Sequence, residues 1–262
     1  MDLHLAGKRV LVTGASRGIG LAVVRAFLAE GASVVAAARK PTPELTATDA
    51  TFIAADLAAP DGPRQLVEAA TAHGSGLDVL VNAVGGGALP VEALSDPLGG
   101  DDSVWDAAFT LNLHAVVRTI RAALPALLEA GGAVVTVGSD SARRPGAEPM
   151  PYTAAKAALG NMTRQLAERF GSEGVRFNTV SPSATRTSLL TGPDSFLALV
   201  AAGTGVTQES LVEGLPRQNG MLTGELIDPE EIARAVLLLA SPTMPSVIGA
   251  DWAVDAGAVK SS

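Results

Sequence analysis

Residues Arg9-Val10-Leu11-Val12-Thr13-Gly14-Ala15-Ser16-Arg17-Gly18-Ile19-Gly20 open with a short β-branched run and close on three glycines spaced Gly-x-x-x-Gly-x-Gly. The run predicts a strand over Arg9–Thr13, and the segment Ile19–Ala29 behind it predicts a helix. A glycine-rich turn between the two lets backbone approach a pyrophosphate, which then meets the N–H groups of the helix start. Such glycines serve ordinary turns elsewhere. Here they follow a strand and open a helix at the start of a βαβ unit, which is the context that gives them meaning. On this reading Thr13, Gly14, Ser16, Arg17, Gly18, Ile19 and Gly20 form one wall of a nucleotide site.

The same rhythm continues along the chain. Further strands are expected at Ser33–Ala38, Thr51–Ala55, Val79–Asn82, Ala133–Val137, Val175–Val180 and Trp252–Val254. Helices are expected at Pro63–Ala72, Ser103–Ala130, Met150–Phe170 and Pro229–Ala240. Alternation of this kind implies an α/β fold, a doubly wound parallel sheet with helices on both faces. Hydrophobic residues make up 47% of the 262, but aromatics only 3%, so the core is built from Ala, Val and Leu. No Pro/Ser-rich linker or internal repeat divides the chain, and residues 1–262 read as a single domain. One stretch, Ser183–Leu226, breaks the pattern with many glycines among apolar residues. Long excursions from a compact sheet are usually functional; the expectation is a helical lid over the active cleft, against a surface insertion with no role.

Composition also excludes. With no cysteine there are no disulfides and no thiolate metal sites. His4, His73 and His114 are scattered, without helical ligand spacing, and no catalytic metal is expected. A net charge of −8 argues against a nucleic-acid surface. Met1-Asp2-Leu3-His4-Leu5 lacks the basic start and apolar run of a signal peptide, and no apolar stretch reaches the length of a membrane span. The expectation is a soluble cytoplasmic protein that binds neither nucleic acid nor membrane.

The end of the second strand bears on which nicotinamide cofactor is held. An acidic side chain there would accept from the adenosine ribose. This chain has Ala36-Ala37-Ala38-Arg39-Lys40 instead, with Arg17 in the glycine turn as a third cation. A 2′-phosphate suits such a pocket, so NADP is expected over NAD; solvated loop charges are the plainer alternative. Asp56-Leu57 follows the third strand, with Asp56 available to an adenine amino group. Asn82-Ala83-Val84-Gly85-Gly86-Gly87 ends the fourth strand with small residues that permit close approach to a ligand. Asn82 either serves that approach or braces the central strands.

The single tyrosine, Tyr152, stands four residues before Lys156, one helical turn away on the same face. A phenol free in water has a pKa of about 10, and a fixed cation nearby favours the phenolate. Ser139, at an expected strand end, supplies a hydroxyl able to orient a substrate oxygen. An acid–base tyrosine beside a nucleotide site is what reversible carbonyl reduction needs.

These pieces together resemble the short-chain dehydrogenase/reductase family over nearly the whole chain, and within it the 3-oxoacyl-(acyl carrier protein) reductase type. The matching residues are Thr13-Gly14-x-x-x-Gly18-x-Gly20, Asp56, Asn82-Ala83-x-Gly85, Asn112, Ser139, Tyr152-x-x-x-Lys156, and Asn178 with Ser181-Pro182 through Thr187. The resemblance implies a seven-stranded sheet in the order 3-2-1-4-5-6-7, assembled as a homotetramer or dimer. It implies Tyr152 as general acid in reduction and base in oxidation. Lys156 would hold the nicotinamide ribose, Ser139 the substrate carbonyl, and Asn112 a water that relays protons to Lys156. Pro182 and Thr187 would bracket the nicotinamide carboxamide, with Thr185 also among the cofactor-binding residues. The chain departs from the family pattern at Val81, at Ser183 where glycine is usual, and at Asp255-Ala256-Gly257.

The function expected is NADPH-dependent reduction of a ketone or aldehyde. Two alternatives stay open: an alcohol dehydrogenase running oxidatively, and a nucleotide-binding regulatory protein without turnover. Ser141 rivals Ser139 for the substrate oxygen. Gly86, Gly87, Ala88, Ser141, Met150, Leu189, Phe196 and Leu199 are expected to line a mainly apolar cleft. Arg143-Arg144 either meets an anionic group at the cleft mouth or is a solvated pair. Val116, Val117, Ile120, Leu124 and Leu127 spread apolar surface around one helix, which asks for cover by a second subunit.

Overall fold

Successive side chains of a strand point to opposite faces, and in this chain both sets are apolar, so each strand needs cover above and below. The computed structural model describes residues 1–72, 76–86, 96, 98, 101–144, 149–193 and 195–260. Its strands are β1 (Arg9–Thr13), β2 (Ser33–Ala38), β3 (Thr51–Ala54), β4 (Val79–Asn82), β5 (Ala133–Val137), β6 (Arg176–Pro182) and β7 (Asp251–Val254). They form one seven-stranded parallel sheet in the order β3-β2-β1-β4-β5-β6-β7. The order reverses between β1 and β4, where Thr13 stands beside Asn82. Crevices beyond the strand ends at such a reversal are where open α/β sheets bind ligands.

Ten α-helices accompany the strands in the described residues: α1 (Gly18–Ala29), α2 (Pro43–Thr46), α3 (Gly62–Ala70), α4 (Asp102–Phe109), α5 (Ala115–Ala130), α6 (Met150–Phe170), α7 (Ser188–Thr191), α8 (Phe196–Thr204), α9 (Gln208–Gln218) and α10 (Pro229–Ala240). α1 and α10 cover one face, packing Val23, Val24, Phe27, Ile232 and Val236 onto Val10, Val12, Val34, Val79, Val81 and Val180. α3, α5 and α6 cover the other, where Leu66, Val116, Ile120, Leu127 and Leu159 meet Leu11, Leu80, Val134 and Phe177. Burying one such side chain contributes about 1.5–3 kcal/mol. Among the described residues no single helix is long and apolar enough to cross a membrane.

Two differences from the expected elements matter. The helix expected over Ser103–Ala130 runs without a break but is not regular: α4 and α5 are joined by a π-helical turn, Thr110–His114. A π turn widens the helix by one residue, and the apolar pattern on either side is unchanged by it. The last inner strand starts at Arg176 and runs to Pro182, two residues past the expected end, because Ser181 and Pro182 pair with Ala253 and Val254 of β7. Arg176 itself is buried and donates to the carbonyls of Leu239, Ala240 and Ser241 at 2.7, 2.9 and 3.0 Å. Its guanidinium thus satisfies the last carbonyls of α10 and fastens that helix to β6.

Candidate functional site

The glycine turn is shaped by its own crowding. A Cβ at Gly20 would lie 2.2 Å from the Gly14 carbonyl oxygen, and one at Gly14 would lie 2.6 Å from that of Ala83. Gly14 also has φ +66°, a conformation side chains disfavour. Only glycine therefore allows β1, the start of α1 and the end of β4 to close up. A cavity of about 590 Å³ opens along this turn, walled by Gly14, Ser16, Arg17, Gly18, Ile19 and Gly20 on one side. Arg39, Asp56, Leu57, Ala83, Gly85 and Thr187 complete it from the other strand ends. Thr13, Asn82, Pro182 and Thr185 are buried behind this wall. Thr13 donates to the Val81 carbonyl at 3.3 Å and Thr185 to that of Ser183 at 2.8 Å, so both brace backbone. Both amide atoms of Asn82 are buried without a partner among the described residues. A larger hollow of about 690 Å³ lies on the far side of the turn, between α1 and α10, and does not reach Gly85.

The cationic edge is drawn together by a residue that the sequence did not single out. Thr42 donates to the Ser16 carbonyl at 2.7 Å while capping α2 through Leu45. This fixes the segment after β2 against the glycine turn and brings Arg39 to the same cavity as Arg17. Arg17, Arg39 and Lys40 are exposed, and none has an ion pair or side-chain hydrogen bond among the described residues. Such a concentration of unpaired positive charge suits a phosphate.

Asn112 sits in the π turn, buried, and its amide closes a ring with Gly86. Its oxygen accepts from the Gly86 N–H at 2.8 Å, and its nitrogen donates to the Gly86 and Ala108 carbonyls at 3.1 and 2.9 Å. The side chain is thereby committed to holding the segment after β4. Gly85 lies between Asn112 and Lys156: a Cβ there would stand 3.1 Å from both Asn112 Oδ1 and Lys156 Nζ. Lys156 is buried on α6 and donates to the Val137 carbonyl at the end of β5, 2.9 Å away. Burial pushes its ammonium down from 10.5 to about 8. The same Nζ lies 5.7 Å from the centre of the half-buried Tyr152 ring. Ser139 follows β5, and its turn, Asp140–Ala142, packs against α6. The hydroxyls of Ser139 and Ser141 are 2.8 Å apart and both buried. The structure thus places both serines together rather than choosing one.

Of the expected cleft residues, Leu189 meets the backbone where Gly86 turns: a Cβ there would come within 3.2 Å of its Cδ2. Met150 and Leu199 are exposed and Phe196 half-buried, while Gly87 and Ala88 lie outside the described residues. The segment expected as a lid carries α7, α8 and α9. Gln208 Nε2 gathers their ends, reaching the carbonyls of Leu190 and Gly192 at 3.2 and 2.9 Å and the Ser195 hydroxyl at 2.9 Å. Where the segment rejoins the sheet, Arg186 and Ala184 pair with Ile227. Arg143 is exposed and Arg144 half-buried, and each has an acidic neighbour. Arg144 pairs with Asp140 at 2.9 Å, and Arg143 approaches Asp251 at 3.8 Å.

Known proteins share this fold. The family described as Enoyl-(Acyl carrier protein) reductase matches residues 14–259. A short chain dehydrogenase of Rhodocybe pseudopiperita is 32% identical over 259 residues, covering 96% of this chain and 98% of its own. D-threitol dehydrogenase of Mycolicibacterium smegmatis is 31% identical over 272 residues, covering 98% and 94%. L-sorbose reductase of Gluconobacter frateurii, solved with NADPH and L-sorbose, superposes with a TM-score of 0.87 at 26% identity, covering all of both chains. Sheet order, glycine turn and relatives agree, and the chain is an oxidoreductase belonging to the short-chain dehydrogenase/reductase family.

Proposed function

We propose that the chain reduces a ketone or aldehyde to an alcohol with NADPH, Tyr152 giving the proton to the substrate oxygen. The observation that carries this reading is the buried Lys156 ammonium, held by Val137 beside the Tyr152 ring. Its charge favours the phenolate that remains once the proton has left. Ser139 and Ser141, hydroxyl to hydroxyl, offer donors to the same oxygen. Bound NADPH supplies the hydride. Gly14, Gly18 and Gly20 would take its pyrophosphate, and Arg17 and Arg39, which line the same cavity, its 2′-phosphate, with Asp56 and Leu57 further along the wall. The solved L-sorbose reductase complex, in which NADPH is bound, supports the same choice of cofactor. Asn112 holds Gly86, keeping the backbone beside Lys156 in place for the nicotinamide ribose.

The oxidative direction is a second reading, favoured by the D-threitol dehydrogenase relative. In that direction Tyr152 takes the proton from an alcohol. A second copy of the chain would cover the half-buried Val117 and Leu124 of α5, as a homotetramer or dimer. The test is turnover of NADPH with a panel of ketones and aldehydes, and of NADP with the matching alcohols, followed by nicotinamide absorbance. Tyr152→Phe should lower kcat by about 10²-fold or more while nucleotide affinity holds. Unchanged turnover in that variant would remove Tyr152 from the chemistry.

A further inference from the structure

We propose that Arg144 is a positioning residue: it ties the segment carrying α7–α9 to the serine turn, and so sets where the substrate oxygen meets its hydroxyls. The inference rests on the reductase reading above. Asp140 lies between Ser139 and Ser141 in sequence, and its side chain is only 5% exposed. Arg144 Nε donates to its Oδ2 at 2.9 Å. The same guanidinium donates through Nη1 to the carbonyl of Asn219 at 3.3 Å. Asn219 is the residue that ends α9, so the cation also stands at the negative end of that helix. One planar group thereby spans two elements separated by 75 residues.

The other fastenings nearby do not make this connection. Leu222 N–H donates to the Ala256 carbonyl at 2.7 Å and Lys260 Nζ to that of Gly220 at 2.7 Å; both bind the end of the segment to the C-terminal residues. Arg143 stands 3.8 Å from Asp251, whose other oxygen accepts from Ser181 at 2.6 Å, and this fixes the turn to β6 and β7. Arg144 alone among these joins the serine turn to the segment above it. Its removal leaves a buried carboxylate without its counter-charge, which is strongly destabilising locally and is relieved by opening the turn to water. The two serine hydroxyls would move with it. A lysine restores the charge but not the fork that reaches carboxylate and carbonyl together.

The experiment uses the full chain with Arg144→Gln, Arg144→Lys and the double variant Asp140→Asn/Arg144→Gln. Kinetics are measured with NADPH and the carbonyl compound that the unaltered chain turns over best. Backbone hydrogen exchange is followed over residues 139–144 and 208–221. Arg144→Gln should lower kcat/KM for the carbonyl compound by about tenfold or more, with the KM for NADPH changed less than about twofold. Exchange should quicken in both segments together. Arg144→Lys should recover part of the loss. The double variant, free of the stranded charge, should recover thermal stability but not kcat/KM. Arg144→Gln with normal kcat/KM would overturn the proposal, as would quickened exchange in one segment alone, or full recovery of kcat/KM by the double variant. If Arg144→Gln does not fold, the double variant and Arg144→Lys decide by the same readings. A chain that turns over no carbonyl compound counts against the reductase reading, and the paired exchange then decides Arg144 by itself.

Discussion

Lys156 joins the end of β5 to the aromatic ring of α6: its Nζ donates to the Val137 carbonyl at 2.9 Å and lies 5.7 Å from the Tyr152 ring centre. The ammonium is buried, and burial brings its pKa from 10.5 to about 8. The folded chain thus releases this proton more readily than the unfolded one. Between about pH 8 and 10.5 the unfolded chain binds the extra proton, so this group's contribution to stability rises with pH through that window and is least below it. On the proposed mechanism catalysis runs the other way, because the charge beside Tyr152 falls away as pH passes about 8. Carbonyl reduction should decline there, and Lys156→Arg should shift the decline upward. A kcat/KM profile flat to about pH 10 would show that the charge is not needed.

Arg17 and Arg39 face the same cavity, without side-chain partners among the described residues. Replacing both by alanine should lower the ratio of kcat/KM for NADPH over NADH by about 10- to 100-fold, the scale of one or two charge-assisted hydrogen bonds. Affinity measured by titration with each nucleotide gives an independent check. Equal losses for both nucleotides would place these arginines away from the 2′-phosphate.

Asn112→Leu removes three hydrogen bonds made by one buried amide, two of them to the N–H and carbonyl of Gly86. The cost should be about 2 kcal/mol or more. For a chain of this size that lowers the melting temperature by about 4–8 °C. Calorimetry of the variant measures it, and an unchanged melting temperature would mean that the clasp contributes nothing.

Two glycines should answer oppositely to alanine. At Gly20 the added methyl would sit 2.2 Å from a backbone oxygen, so Gly20→Ala should distort the turn and weaken nucleotide binding by about tenfold or more. At Gly203, in α8, a methyl meets nothing within 4 Å. Gly203→Ala should stabilise the chain by about 0.5–1 kcal/mol. Denaturant titrations and nucleotide binding of the two variants distinguish them.

The seven strands were legible because each is a short β-branched run set off by turns, and their bounds hold to within two residues. The glycine turn was legible from spacing and context. The π turn was not, since inserting one residue into a helix leaves the apolar pattern on each side intact while shifting its phase. The clasp of Asn112 on Gly86 joins positions 26 apart, and no local pattern marks it. Arg143 and Arg144 look like any exposed basic pair until their partners are known, and one of those lies 75 residues away. Thr42 could have been noticed: Thr42-Pro43-Glu44 is a helix-start signature directly after the cationic strand end.

The widened turn at Thr110–His114 also sets an angular phase. Each helical residue advances the chain by about 100° around the axis. Excising one residue there would make a regular rod of α4 and α5, and would swing Asp106, Ala107 and Thr110 away from the wall they share with Ala83 and Gly85. The extra residue acts like the key in a shaft: it lets a core-facing helix and a cavity-facing helix run end to end while each keeps its own orientation.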